Sequence, residues 1–308
     1  MKVEVVLTEA DIAAELAEAI EARDLPEKFF YWSPRSAEAW MALARESSYA
    51  GLRDTWRELA GRAPQFVAHI HGGVPVISFG AGDGLRDRAF IEALRDKGRE
   101  ATYFPVDASQ TLLELNCGAA EDDDLEVSGI KADISSPVHR IFAADAAPAP
   151  RLFIMSGNTL GMFDAVAQIR YVAQCLKPGD RLIVDGEIFS SQTLEYREQP
   201  ATRRFLSSVL AGLGISGEDG ELRYELKCDE RHEGLHMVAR YFRAGRDIGV
   251  RAAGETILLQ RGERIGLNFQ YTYTPEAFRW LAGEHGGLEI GEEILSPDGR
   301  FLTLVCGK

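Results

Sequence analysis

Apolar residues recur in two rhythms along this chain. Behind Thr8, whose hydroxyl suits a helix N-cap, they repeat at helical spacing to about Arg23. Two further helices are expected, from about Ser36 to Tyr49 and from Leu52 to about Arg62, the second stopping before Pro64. The pattern then alternates between short apolar runs and amphipathic stretches. It predicts strands at 75–79, 101–106, 125–131, 151–156 and 181–188, with helices at 85–97, 109–116 and 163–176 between them. Pro178-Gly179-Asp180 is a stop-and-turn signal before the last of these strands. Such alternation argues for an α/β fold with a doubly wound, mainly parallel, Rossmann-like sheet.

After Ile188 the character changes. A helix from Ala201 to Leu213, with Pro200 in its first turn, precedes strand-like segments at 221–228, 235–243, 249–260 and 263–273. A helix at 275–284 follows, and then two antiparallel strands around Pro297-Asp298-Gly299. The expected organisation is a Rossmann-like domain of residues 66–190 and 286–308. A smaller α+β substrate domain would combine 1–65 with 191–285.

With 308 residues, 45% of them apolar, the chain can bury a large core. No apolar segment approaches the ~20 residues of a membrane helix, and the first residues do not read as a signal peptide. Cys117, Cys175, Cys228 and Cys306 show no pairing in their spacing, which suits reduced core thiols and a cytoplasmic setting. The formal net charge is −14, and the basic residues are scattered among acids, so nucleic acid is not an expected partner. The acidic run Glu121–Asp124 reads as a solvated loop. A small-molecule substrate remains; oligomeric state is not legible.

The chemistry concentrates where the first strand of the alternating region ends. "FGAGDGLRDR" places Gly80, Gly82 and Gly84 between strand and helix, so a ligand can approach the backbone closely. The dinucleotide fingerprint is G-x-G-x-x-G; the tighter G-x-G-x-G here resembles the first motif of class I S-adenosylmethionine (SAM) methyltransferases. Asp107, ending the next strand, can accept bonds from two ribose hydroxyls or bond the following turn. Asp133 can take an exocyclic adenine amine, with the backbone of Ile134 at the ring edge, or serve its turn alone. Ser156-Gly157 leaves a small-residue gap at the fourth strand edge, where a sulfonium and an acceptor would meet.

From about residue 27 onward the chain resembles the histidine-specific Nα-methyltransferases of the ergothioneine pathway. "KFFYWSP", "YFPVDAS", "KADIS", "RLFIMSGNTLGMF", "LKPGDRLIV", "GLHMVARY" and "GERIGLNFQYTYTPEAF" occur in the family's order. The resemblance implies SAM as cofactor, with Arg86 where the family carries a lysine near the SAM carboxylate. It also implies acceptor roles for Tyr31, Tyr49, Tyr196 and Met237. Glu187, ending the fifth strand, would attract a cationic amine or accept a proton. The departures fall on the acceptor. Met162 stands where the family has an Asn that holds the main-chain end of histidine. Asn268 and Gln270 stand where it has the Glu and Ser that bind imidazole. A carboxylate for an imidazolium is therefore missing.

The expected activity is SAM-dependent N-methyl transfer to an amino acid or small amine other than histidine. Two alternatives stay open: SAM consumption by intramolecular cyclisation with release of methylthioadenosine, and SAM binding without catalysis. No metal is expected. Cys228, His232 and His236 have ligand-like spacing, but Glu233-Gly234 breaks the helix that would put them on one face.

Overall fold

The computed structural model describes residues 2–252 and 254–308. The chain opens with β1 (Val3–Val5), α1 (Glu9–Glu21), α2 (Pro34–Ala44) and α3 (Ala50–Phe66). It continues through β2 (Val74–Phe79), α4 (Leu85–Arg95), β3 (Ala101–Asp107), α5 (Gln110–Asp122), β4 (Glu126–Val127) and β5 (Gly129–Lys131). Then come α6 (Pro137–Ala144), β6 (Leu152–Met155), α7 (Ala165–Cys175), β7 (Arg181–Glu187), α8 (Thr193–Arg197) and α9 (Pro200–Gly212). The last third holds β8 (Gly220–Cys228), β9 (Leu235–Ala244), β10 (Ile248–Ala252), β11 (Glu255–Leu259), β12 (Arg264–Tyr273), α10 (Pro275–Trp280), β13 (Glu289–Leu295) and β14 (Phe301–Gly307).

A nine-stranded sheet runs in the order β1-β5-β3-β2-β6-β7-β14-β13, with β4 attached to β3. Its strands are parallel except that β14 lies antiparallel to both β7 and β13. The sheet is apolar on both faces because helices cover both. On β2, Ile77 and Phe79 enter one core with α7, while Val74 and Val76 enter the other with α3 and α4. Each such fully buried side chain contributes about 1.5–3 kcal/mol of transfer free energy. Strand order reverses between β2 and β6, and this opens a crevice at the carboxyl ends of the strands. A second, antiparallel sheet, β12-β9-β8, packs with α1 and α9 around its own core. The α/β class and Rossmann-like sheet expected from the alternation are present.

Where structure and expectation differ, the cause is tertiary. β1 was not expected; it pairs in parallel with β5, more than a hundred residues away. α3 packs on the central sheet against α4. α3 also runs through Pro64 to Phe66, because Pro64 removes only a bond near the helix end while Trp56, Leu59, Ala63 and Phe66 are buried. α6 was not expected either, although Ser136-Pro137 is a helix-start signal and the Ser136 hydroxyl accepts from His139 N–H. The expected strand 249–260 is a hairpin of β10 and β11 whose residue 253 lies outside the described residues. Glu121 and Asp122 extend α5 rather than standing in a loop, and stay exposed. One ion pair braces the sheet: Arg151 and Asp180, both wholly buried, bond at 2.7 Å.

Candidate active site

The glycine turn is fixed by sterics. Gly80, Gly82 and Gly84 have φ of +70°, +57° and +66°. A Cβ at Gly82 would stand 2.5 Å from the Trp40 ring, and one at Gly80 2.9 Å from the Thr159 methyl. Both residues line a cavity of ≈ 1030 Å³, counting its opening to solvent. Gly84 is not part of the wall. It starts α4 and leaves room for Asn116, whose Oδ1 is 2.0 Å from where its Cβ would be.

The carboxyl ends of β2, β3, β5 and β6 deliver Arg86, Asp107, Asp133, Ile134, Ser156 and Gly157 to one side of this cavity. Asp107 accepts from Gly82 N–H and Ser109 N–H, both at 2.9 Å, and burial raises its pKa. The helix cap after it is Ser109 rather than Asp107. Asp133 accepts from Lys28 Nζ at 2.7 Å and from Ser135. Burial pushes its pKa up, but these bonds outweigh it and the net is a lowered value. Arg86 has no ion-pair or hydrogen-bond partner among the described residues, and reaches within 3.0 Å of where a Gly157 Cβ would lie.

The opposite wall comes from the helices and the small sheet. Tyr31, Tyr49, Met162 and Gln270 line it. Burial raises the Tyr31 pKa, so its phenol stays protonated. Four expected acceptor residues stand elsewhere. Asn268, in left-handed backbone (φ +54°) at a bulge in β12, donates its amide to the Met162 carbonyl at 3.2 Å. It props the wall from behind. Met237 is on the other face of β9. Tyr196 bonds Gln192 and lies under Arg300. Glu187 is buried between Arg197 and Arg300; burial alone would raise its pKa, but the two guanidiniums hold it below the ordinary value. It stays ionised and is not free to accept a proton.

Several wall residues were missed by sequence reasoning: Glu27, Lys28, Trp40, Phe205, Arg197 and Arg240. Parity was the available signal for one of them. With strand period 2, Val238, Arg240 and Phe242 share the buried face of β9, opposite to Met237. Glu27 lies in the turn Glu27–Phe30; burial and the nearby Asp133 raise its carboxyl to about 8. Asn158 joins the two walls, donating its N–H to Asp185 at 2.7 Å and its amide to the Tyr271 carbonyl at 2.9 Å, and accepting from Glu187 N–H.

Among the described residues no group of three or more His, Cys, Asp or Glu side chains is arranged to hold a metal. Cys228 and His236 are cross-strand neighbours, 3.6 Å apart. Cys228 is exposed, unlike the core position expected for it; burial raises the thiols of Cys117 to about 11 and Cys306 to about 12. Among the described residues no helix is long and apolar enough to cross a membrane.

A family model described as histidine-specific methyltransferase, SAM-dependent, matches residues 8–308. The chain belongs to this family. It is a SAM-dependent methyltransferase. It is 22% identical to a histidine N-alpha-methyltransferase from Mycobacterium tuberculosis over 71% of this chain and 66% of that protein. It is 23% identical to 4-dimethylallyltryptophan N-methyltransferase easF from Aspergillus fumigatus, over 94% of this chain and 91% of that protein. Among solved structures, a SAM-dependent methyltransferase from Clostridium acetobutylicum has a TM-score of 0.48 at 14% identity, over 87% of this chain and 97% of that one.

Proposed function

We propose that this methyltransferase acts on the nitrogen of an amino acid or small amine other than histidine. The observation that carries the reading is the acceptor wall itself: Met162 and Gln270 face the cavity, Asn268 is spent on the Met162 carbonyl, and no carboxylate stands at the imidazole-binding positions of the family. A site lacking the partner of a polar ligand discriminates strongly against it. The two relatives are named for different amino-acid acceptors, which supports a family scaffold with an exchangeable acceptor wall.

The residues present fit SAM. The glycine cradle admits a close ligand, Asp107 offers a buried carboxylate, and Arg86 brings a guanidinium to the cavity wall with no close ion-pair partner among the described residues. SAM, when bound, supplies a methyl group already activated for displacement. The chain's task is alignment and exclusion of water. Gly157 and Ser156 leave space for the acceptor nitrogen, and Met162, Phe163 and Leu43 keep that end apolar. Tyr31 and Tyr49 can hydrogen-bond a neutral amine without charging it. Since Glu187 is locked between two arginines, we assign the departing proton to solvent rather than to that residue.

The test is mass spectrometry of the purified protein with SAM and a panel of amino acids and amines. S-Adenosylhomocysteine together with a methylated acceptor other than histidine is expected. Histidine as the best acceptor would overturn the reading, as would methylthioadenosine as the adenosyl product.

A further inference from the structure

We propose that Arg240, flanked by Arg197, is the seat of a carboxylate on the acceptor. This rests on the proposed N-methyl transfer and narrows its substrate to amines that also carry an acid.

Arg240 projects from the middle of β9 into the cavity and is 5% exposed. It has no carboxylate partner among the described residues. Its one hydrogen bond is a long one, 3.3 Å, to the Phe269 carbonyl, and its buried Nε has no partner. Arg151, equally enclosed, is matched by Asp180, and Arg140 donates to the Ile134 and Ser135 carbonyls. Arg197 also lines the cavity; its NH2 group meets Glu187, but its Nε is orphaned. Glu187 is shared with Arg300, so this corner holds three guanidiniums and one carboxylate. Burial, and then repulsion from Arg197, pull Arg240 down to about 10, as a cation without a counter-charge must respond.

A buried, unpaired guanidinium is costly, and a second cation beside it makes it more so. The planar fork of arginine matches a carboxylate through two parallel charge-assisted bonds. The carboxylate of SAM has a different cation available, Arg86, beside Gly157 on the other wall. Lys28 is already matched by Asp133 and Glu15. The acceptor side is therefore positive where an imidazolium site would be negative. An amino acid, bound through its acid with its nitrogen towards Ser156 and Gly157, supplies the missing charge. Tyr31, stacked with Phe205 at 5.7 Å, offers its remainder an aromatic wall.

The experiment uses the full chain saturated with S-adenosylhomocysteine. Calorimetry measures binding of the common amino acids and of their decarboxylated amines, and turnover with SAM is followed in parallel. Binding and turnover confined to the acids are expected. Arg240→Gln should raise KM for the best acid about 10–100-fold, with kcat changed only a few-fold and cofactor affinity kept. Arg240→Lys should restore part of the loss. The thermal midpoint of Arg240→Gln should hold or rise, since an unpaired charge is removed. Equal use of decarboxylated amines, or no binding by any acid to the loaded protein, overturns the seat. So does an unchanged KM in Arg240→Gln. Histidine as the best acceptor, with its KM raised by Arg240→Gln, would instead overturn the proposed acceptor class and leave the seat standing.

Discussion

Glu27 offers a direct check on the electrostatics of the cavity. Its carboxyl is raised from an ordinary 4.5 to about 8 by burial and by Asp133, so near neutrality the folded protein holds a proton that the unfolded chain has lost. Stability must then fall as pH rises from about 4.5 to about 8, and level off above. Glu27→Gln removes the titration while keeping the shape. Between pH 6 and pH 9, two pH units of linkage at ~1.36 kcal/mol each set a ceiling of about 3 kcal/mol. Glu27 is only half-buried and the cavity opens to water, so screening reduces this to about 1–2 kcal/mol. Urea unfolding of both proteins across this range measures it. The variant should be the more stable, by a margin that widens with pH and then plateaus. A margin that is constant from pH 5 to pH 9 would refute the reasoning.

Three further substitutions probe the frame. Gly82→Ala places a Cβ 2.5 Å from Trp40 at φ +57°, and should cost about 1–3 kcal/mol in unfolding experiments while weakening S-adenosylhomocysteine binding by calorimetry. Gly61→Ala, in the exposed part of α3 with nothing within 4 Å, should gain about 0.5–1 kcal/mol and serves as its control. Arg151→Met strands Asp180 in the interior, and a loss of about 3–5 kcal/mol is expected from the same measurement.

The central sheet was legible because its strands are short apolar runs separated by amphipathic helices, a local pattern. What escaped was non-local. β1 is three residues long and exists because β5 offers it a partner. Pro64 looked like a stop, yet the buried face of α3 carries the helix past it. The wall proposed for the cofactor was readable because its residues gather at strand ends: Gly80 and Gly82 after β2, Asp107 closing β3, Asp133 and Ile134 after β5, Ser156 and Gly157 after β6. The opposite wall was readable only in part: Tyr31, Tyr49, Met162 and Gln270 were expected, while Trp40, Arg197, Phe205 and Arg240 come from helices and a strand face that the tertiary fold brings together. Family resemblance led to Met237, Asn268 and Gln270; Gln270 lines the cavity, whereas strand parity puts Arg240 there rather than Met237 and the bulge spends Asn268 on the Met162 carbonyl. Glu187 looked like a reactive strand-end acid, and only the fold brings Arg197 and Arg300 to it.

Asn158 has a wider consequence. Its contacts rivet the end of β6 to β7 and to β12, so the strand that would present the methyl donor and the one that screens the acceptor share a single fastening. The inward positions of β9 and β12 can then be exchanged as a cassette without rebuilding the cradle beneath them. A library confined to those positions, with Asn158 left intact, is the natural route to catalysts for new amines on this scaffold.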